Sequence, residues 1–126
     1  MTDKSASEEQ DSTIVSQYDG VAAADMIPEM VDRIVREFDP EQIILFGSHA
    51  RGDAHRWSDV DLLVVFREVT DRRELSIAIQ MLLHDLFVAK DIIVTSTEDL
   101  RRLGTEIGTV HRRALSEGRT LYDRGQ

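Results

Sequence analysis

Three short apolar runs, each set among stretches of helical periodicity, constrain this chain more than any other feature. The runs are Gln42 to Phe46 (QIILF), Asp61 to Phe66 (DLLVVF) and Asp91 to Thr95 (DIIVT). Each has the length and β-branched content of a buried strand. The near-continuous apolar character of the second predicts cover on both of its faces. Around these runs, large apolar residues recur every three or four positions, which marks one face of a helix. Ile27, Met30, Val31, Ile34, Val35 and Phe38 form the first such stripe, in a helix read from Asp25. Pro28 suits its first turn, where a missing N–H costs nothing, and Asp39-Pro40 ends it.

Leu75, Ile79, Leu82, Leu83 and Leu86 form a second stripe, from Asp71 to about Val88, with Asp71 and Glu74 as a capping box. Leu100, Leu103, Ile107, Val110, Ala114 and Leu115 line up in a third helix, which opens on a Thr95/Glu98 capping pattern and stops at Gly118. Gly104 and Gly108 weaken that helix by about 1 kcal/mol each relative to Ala. The order helix, strand, loop-helix, strand, helix, strand, helix predicts one α/β domain on a sheet of at least three strands.

Charge and composition narrow the function classes. Residues 1–20 hold five carboxylates against one lysine and few large apolar groups, so residues 1–22 read as a disordered acidic tail and 23–126 as the folded domain. The net charge of −9 argues against a broad nucleic-acid surface, which needs clustered Lys and Arg; no direct nucleic-acid binding is expected. The chain has no Cys, which excludes disulfides, zinc-thiolate sites and thiol catalysis. No apolar run is long enough to span a bilayer, and MTDKSASEEQ lacks the basic and apolar regions of a secretory signal. No membrane association is expected, and the expected location is the cytoplasm.

The chemistry concentrates in FGSHARGDAHRWSDVDLLVVF, Phe46 to Phe66. Gly47-Ser48, where a strand turns into a short helix, presents backbone N–H groups that suit a phosphate. Glycine lets the backbone approach the ligand closely. Taken alone, such a step is more often simply a tight turn. Asp59 and Asp61 lie two positions apart at the start of a strand, so both carboxylates point to one face. Two carboxylates about 4 Å apart repel by roughly 4 kcal/mol at an effective dielectric near 20, which a bound cation relieves. Hard oxygen ligands suit Mg²⁺. The bland alternative is a solvated strand end. Asp91 heads the third strand; if that strand lies beside DLLVVF, Asp91 sits next to Asp61. Three such carboxylates suit a two-metal cradle for phosphoryl displacement.

Arg51 either touches phosphate or braces the loop through an ion pair. Ser58 orders the turn before the strand by bonding nearby backbone. Trp57 packs at the base of the loop or stacks on a base. Lys90 points away from the face of Asp91 and is solvated, and Tyr122 is a packing residue.

Gly47-Ser48-His49-Ala50-Arg51-Gly52 followed by Ser58-Asp59-Val60-Asp61-Leu62 resembles the DNA polymerase β-like nucleotidyltransferase superfamily, above all its minimal branch, the MNT proteins. The resemblance covers about residues 25–123. It implies a polymerase β-like α/β (α+β) fold, a small mixed sheet flanked by helices. It also implies transfer of a nucleoside monophosphate from an NTP with release of pyrophosphate. Carried over by position, Gly47 and Ser48 contact the β- and γ-phosphates, with Arg51 and Ser58 at the nucleotide site. Asp59 and Asp61 bind two Mg²⁺ ions, and Asp91 joins the metal nearest the acceptor hydroxyl. Minimal proteins of this kind resemble the antitoxin of HEPN/MNT toxin–antitoxin pairs. That resemblance implies a HEPN-type protein partner, a hetero-oligomer, and AMP transfer from ATP to a hydroxyl of the toxin. Two alternatives stand beside it: an antitoxin acting by stoichiometric binding without catalysis, and nucleotidyl transfer to a small hydroxylated molecule such as an antibiotic.

Overall fold

A computed structural model describes residues 20–55 and 58–125. Most of the expected tail and Trp57 therefore lie outside the described residues. Among the described residues nine elements follow in order: α1 (Gly20–Phe38), β1 (Gln42–Phe46), α2 (Ser48–Arg51), β2 (Val60–Phe66), α3 (Arg72–Leu82), β3 (Lys90–Ser96), α4 (Thr97–Leu103), α5 (Val110–Glu117) and β4 (Arg119–Asp123).

The four strands form one mixed sheet in the order β3-β2-β1-β4. β1 runs antiparallel to β2, with Phe46 opposite Asp61. It also runs antiparallel to β4, with an irregularity at Ile43/Ile44. β2 and β3 are parallel, with Asp61 opposite Asp91. Alternate side chains serve two cores, as the two-residue period of a strand requires. Ile43, Leu45, Leu62, Val64, Ile92 and Val94 pack beneath α1 and α3, with Met30, Ile34, Ile79 and Leu83. Ile44, Phe46, Leu63 and Val65 pack on the other face, with Leu100 of α4 and Ala114 of α5. The expected flanked mixed sheet is present, and β2 is covered on both faces.

Several local readings are corrected. Helix α1 starts at Gly20, so Pro28 lies inside the helix and not in its first turn. Buried Ala23 extends the apolar stripe one turn towards the N-terminus, and that packing holds the helix through the lost hydrogen bond while Pro28 itself stays exposed. Helix α3 opens as read, with the Asp71 side chain accepting from Glu74 N at 3.0 Å, but it ends at Leu82 and not near Val88. Leu83 and Leu86 remain buried because a tight turn, with Leu86 N donating to Leu83 O, folds them back onto the core. Lys90 is not solvated. Its ammonium donates to Leu86 O and Val88 O at 2.9 and 2.8 Å, closing the carbonyls of that same turn, and its partial burial lowers its pKa.

The C-terminal region differs most. Ser96, not Thr95, caps α4 by accepting from Asp99 N. Thr95 is fully buried instead, its hydroxyl 2.8 Å from His111 Nε2. The single long helix is two helices, and the break contains Gly108 at φ 95°. Thr109 then caps α5 by accepting from Arg112 N. Ile107 is 88% exposed and Leu115 51% exposed, so neither belongs to a buried stripe, and one continuous helix would gain nothing from them. After Gly118 the chain adds β4, which the sequence reading did not contain. Tyr122 and Leu121 pack partly against the larger core, as expected for Tyr122.

Candidate active site

The end of the sheet formed by Phe46, Gly47, Asp61 and Asp91 gathers most of the residues singled out in the sequence. Parallel pairing places Asp61 and Asp91 side by side, and Asp59 lies just before β2, two positions from Asp61. Asp61 is half-buried, while Asp59 and Asp91 are exposed. Burial raises the pKa of Asp61; the negative charges of Asp91 and then Asp59 raise it further, and Arg113 and His49 pull it back. The charges of Asp91 and Asp59 thus both reach Asp61. Among the described residues, however, no three His, Asp or Glu side chains stand converged as a metal site.

Gly47 joins this cluster from β1. Its backbone sits at φ 77°, ψ −157°, a region essentially reserved for glycine. A Cβ here would fall on Asp61 Oδ2 and lie 3.1 Å from Asp61 Cγ. Absence of a side chain is therefore what lets the Gly-Ser loop lie against the central carboxylate. Ser48 opens α2, whose leading N–H groups have no partner within the helix. Gly47 O accepts from Ala50 N and Arg51 N, and Ser48 O from Gly52 N and Asp53 N, so the loop is held by its own backbone.

Arg51 makes the bracing contacts: Nη1 to Glu117 Oε2 at 3.2 Å and Nε to Asp53 Oδ2 at 3.3 Å. Ser58 braces the next turn, its hydroxyl accepting from His55 N at 2.9 Å while its own N–H donates to His55 O. His49 Nε2 lies 3.2 Å from Ser58 O and links the two turns.

Two residues of the site were absent from the sequence reading, Arg113 and Glu117 of α5. Glu117 Oε2 accepts from Gly47 N at 3.3 Å as well as from Arg51. Arg113 lies over the Phe46 ring, 5.3 Å from its centroid, with Nε 3.8 Å from the same Glu117 oxygen. No local motif marks either residue. They reach the site only because α5 crosses the face of β1 that carries Phe46.

Comparison with known proteins places these features in context. A family model described as "Nucleotidyltransferase domain" matches residues 27–119. One protein of Methanocaldococcus jannaschii, named as a protein adenylyltransferase, is 42% identical over 50 residues, 38% of this chain and 34% of that protein. The chain thus aligns with about a third of that relative. A second protein so named from the same organism is 34% identical over 82 residues, covering 65% of this chain and 78% of its own. Among solved structures, one named as a nucleotidyltransferase from Sulfolobus solfataricus shares the fold, with TM-score 0.56, 20% identity and coverage of 85% and 86% of the two chains. A chain from a crystallised toxin–antitoxin complex with AMP-PNP gives TM-score 0.52 and 28% identity over 75% of this chain and 72% of its own.

Proposed function

The chain belongs to the nucleotidyltransferase domain family, and from that premise we propose that it transfers AMP from ATP to a hydroxyl of a HEPN-type toxin and acts as its antitoxin. The observation that carries the reading is the parallel pairing of Asp61 with Asp91, with Gly47 pressed against Asp61. The names of the adenylyltransferase relatives and the likeness to a chain crystallised with AMP-PNP in a toxin–antitoxin complex support the choice of nucleotide and of partner.

The donor chemistry fits Mg²⁺, being three carboxylates of which the central one has a pKa raised first by burial and then by the charges of its two neighbours. Asp59, Asp61 and Asp91 would hold the metal, which when bound offsets triphosphate charge and acidifies an oxygen. The rest falls to the chain itself. Ser48 and the leading N–H groups of α2 hold the β- and γ-phosphates, while Arg51 and Ser58 keep the two loops in register. Asp91, exposed on the edge strand β3, is the carboxylate that an incoming hydroxyl reaches, and it takes up that hydroxyl's proton.

The deciding experiment is an intact-mass measurement on the protein that co-purifies with this chain. It is made with and without Mg-ATP, for wild type and for Asp59→Asn/Asp61→Asn. A gain of one or more AMP units only with wild type is the expected result. One observation favours stoichiometric binding as the second reading: Ile77, Met81 and Phe87 are 50%, 64% and 65% exposed, an apolar surface of the kind partners cover. A stable complex with no mass change under any condition would move the assignment there.

A further inference from the structure

A triphosphate entering a cluster of three carboxylates needs protein cations as well as a metal, because phosphate oxygens are held best by guanidinium groups. Two basic side chains act on Asp61, Arg113 and His49. The ring of His49 is already set against Ser58 O. Arg51 is held by Asp53 and Glu117, through Nε and Nη1. Arg113 differs from both. Its guanidinium is parked on the Phe46 ring, immediately before Gly47 and opposite Asp61 in the sheet. Its approach to Glu117 Oε2 is long, at 3.8 Å, and that oxygen already accepts shorter bonds from Gly47 and Arg51. Among the described residues the guanidinium N–H groups of Arg113 make no hydrogen bond. The side chain is 59% exposed, so a ligand can reach it.

We propose that Arg113 is a phosphate-binding residue of this site: its guanidinium, held on Phe46 beside Asp61, takes oxygens of the nucleotide's triphosphate. The inference rests on the nucleotidyl-transfer reading above. As the acceptor oxygen bonds to the α-phosphorus, the bond from that phosphorus to the bridging oxygen breaks. The electron pair leaves with pyrophosphate, whose growing charge Arg113 neutralises. The acceptor's proton passes to Asp91.

The test is calorimetric titration of wild type, Arg113→Gln, Arg113→Lys and Arg101→Gln with Mg-ATP and separately with inorganic tripolyphosphate, alongside thermal melts. Wild type and Arg101→Gln, altered on the exposed side of α4, should bind both probes alike. Arg113→Gln should weaken both by about tenfold to a hundredfold, the range for a lost charged hydrogen bond. Arg113→Lys should recover part of the loss, with every variant melting as wild type. Unchanged binding of both probes by Arg113→Gln, with wild type binding normally, overturns the assignment of Arg113 and leaves the nucleotidyl-transfer reading standing. Failure of wild type to bind either probe overturns both.

Discussion

Replacing Gly47 by Ala tests the central packing claim. Two costs follow from the structure. The first is backbone strain: φ 77°, ψ −157° is a conformation that a residue with a Cβ holds only at a cost of about 1–3 kcal/mol. The second is steric. The new methyl would fall on Asp61 Oδ2, 3.1 Å from Cγ, so the carboxylate must leave its rotamer, at about 1 kcal/mol. Together they predict a loss of about 2–4 kcal/mol, which for a domain of this size lowers Tm by roughly 8–15 °C. Because relief comes by moving Asp61, nucleotidyl transfer should fall by more than the folded fraction alone explains. Urea and thermal unfolding of Gly47→Ala, Asp61→Ala and the double variant separate the two terms. The double variant keeps the strain and loses the clash, so the cycle should show coupling of about 1 kcal/mol in favour of the pair. Wild-type stability in Gly47→Ala, or additive effects in the cycle, would refute the reasoning.

Other expectations follow from the same structure. Asp61 has a raised pKa, so the native state holds its proton more tightly than the unfolded chain; the stability it contributes is present at low pH and is lost as pH rises through that raised value. Asp61→Asn, assayed without metal at neutral pH, should therefore be more stable than wild type, seen as a higher urea midpoint. His111 is shifted the other way, chiefly by burial. Its contribution is present above the ordinary histidine value and is lost as pH falls through the depressed native value. A Tm-against-pH series should thus show wild type losing stability on the acid side of about pH 6.5, with His111→Gln flatter there. Asp85→Asn breaks the paired contact with Arg33 at 2.6 and 3.2 Å that ties α1 to the turn after α3. Since both groups face solvent, it should lower the melting temperature less than Gly47→Ala does, and the difference from wild type should shrink in high salt.

Much of the site was legible because its determinants are local. Asp59 and Asp61 stand two positions apart in the sequence itself, at the entrance to β2. Asp71 caps α3 because a side-chain acceptor three residues before a free N–H needs nothing else. Local rules failed where a competing partner lay far along the chain. Thr95 had the spacing of a cap, but its hydroxyl met His111 from α5, and the cap passed to Ser96. The stripe through Leu100, Ile107 and Ala114 had the right period, yet the chain breaks at Gly108 and buries Leu100 and Ala114 while leaving Ile107 exposed.

The sequence by itself determined most of the elements that carry the candidate site and the two-residue spacing of Asp59 and Asp61, since these depend on contacts a few residues long. Only the tertiary structure decided that β2 and β3 run parallel in a register that sets Asp61 beside Asp91. It also decided that Gly47 must be glycine, because of a carboxylate 14 positions away in the chain. The same holds for Arg113 and Glu117, which reach the end of β1 and the Gly-Ser loop from 67 and 71 positions beyond Phe46. These are contacts between surfaces brought together by burying both faces of one sheet, and no local pattern encodes which side chains meet there.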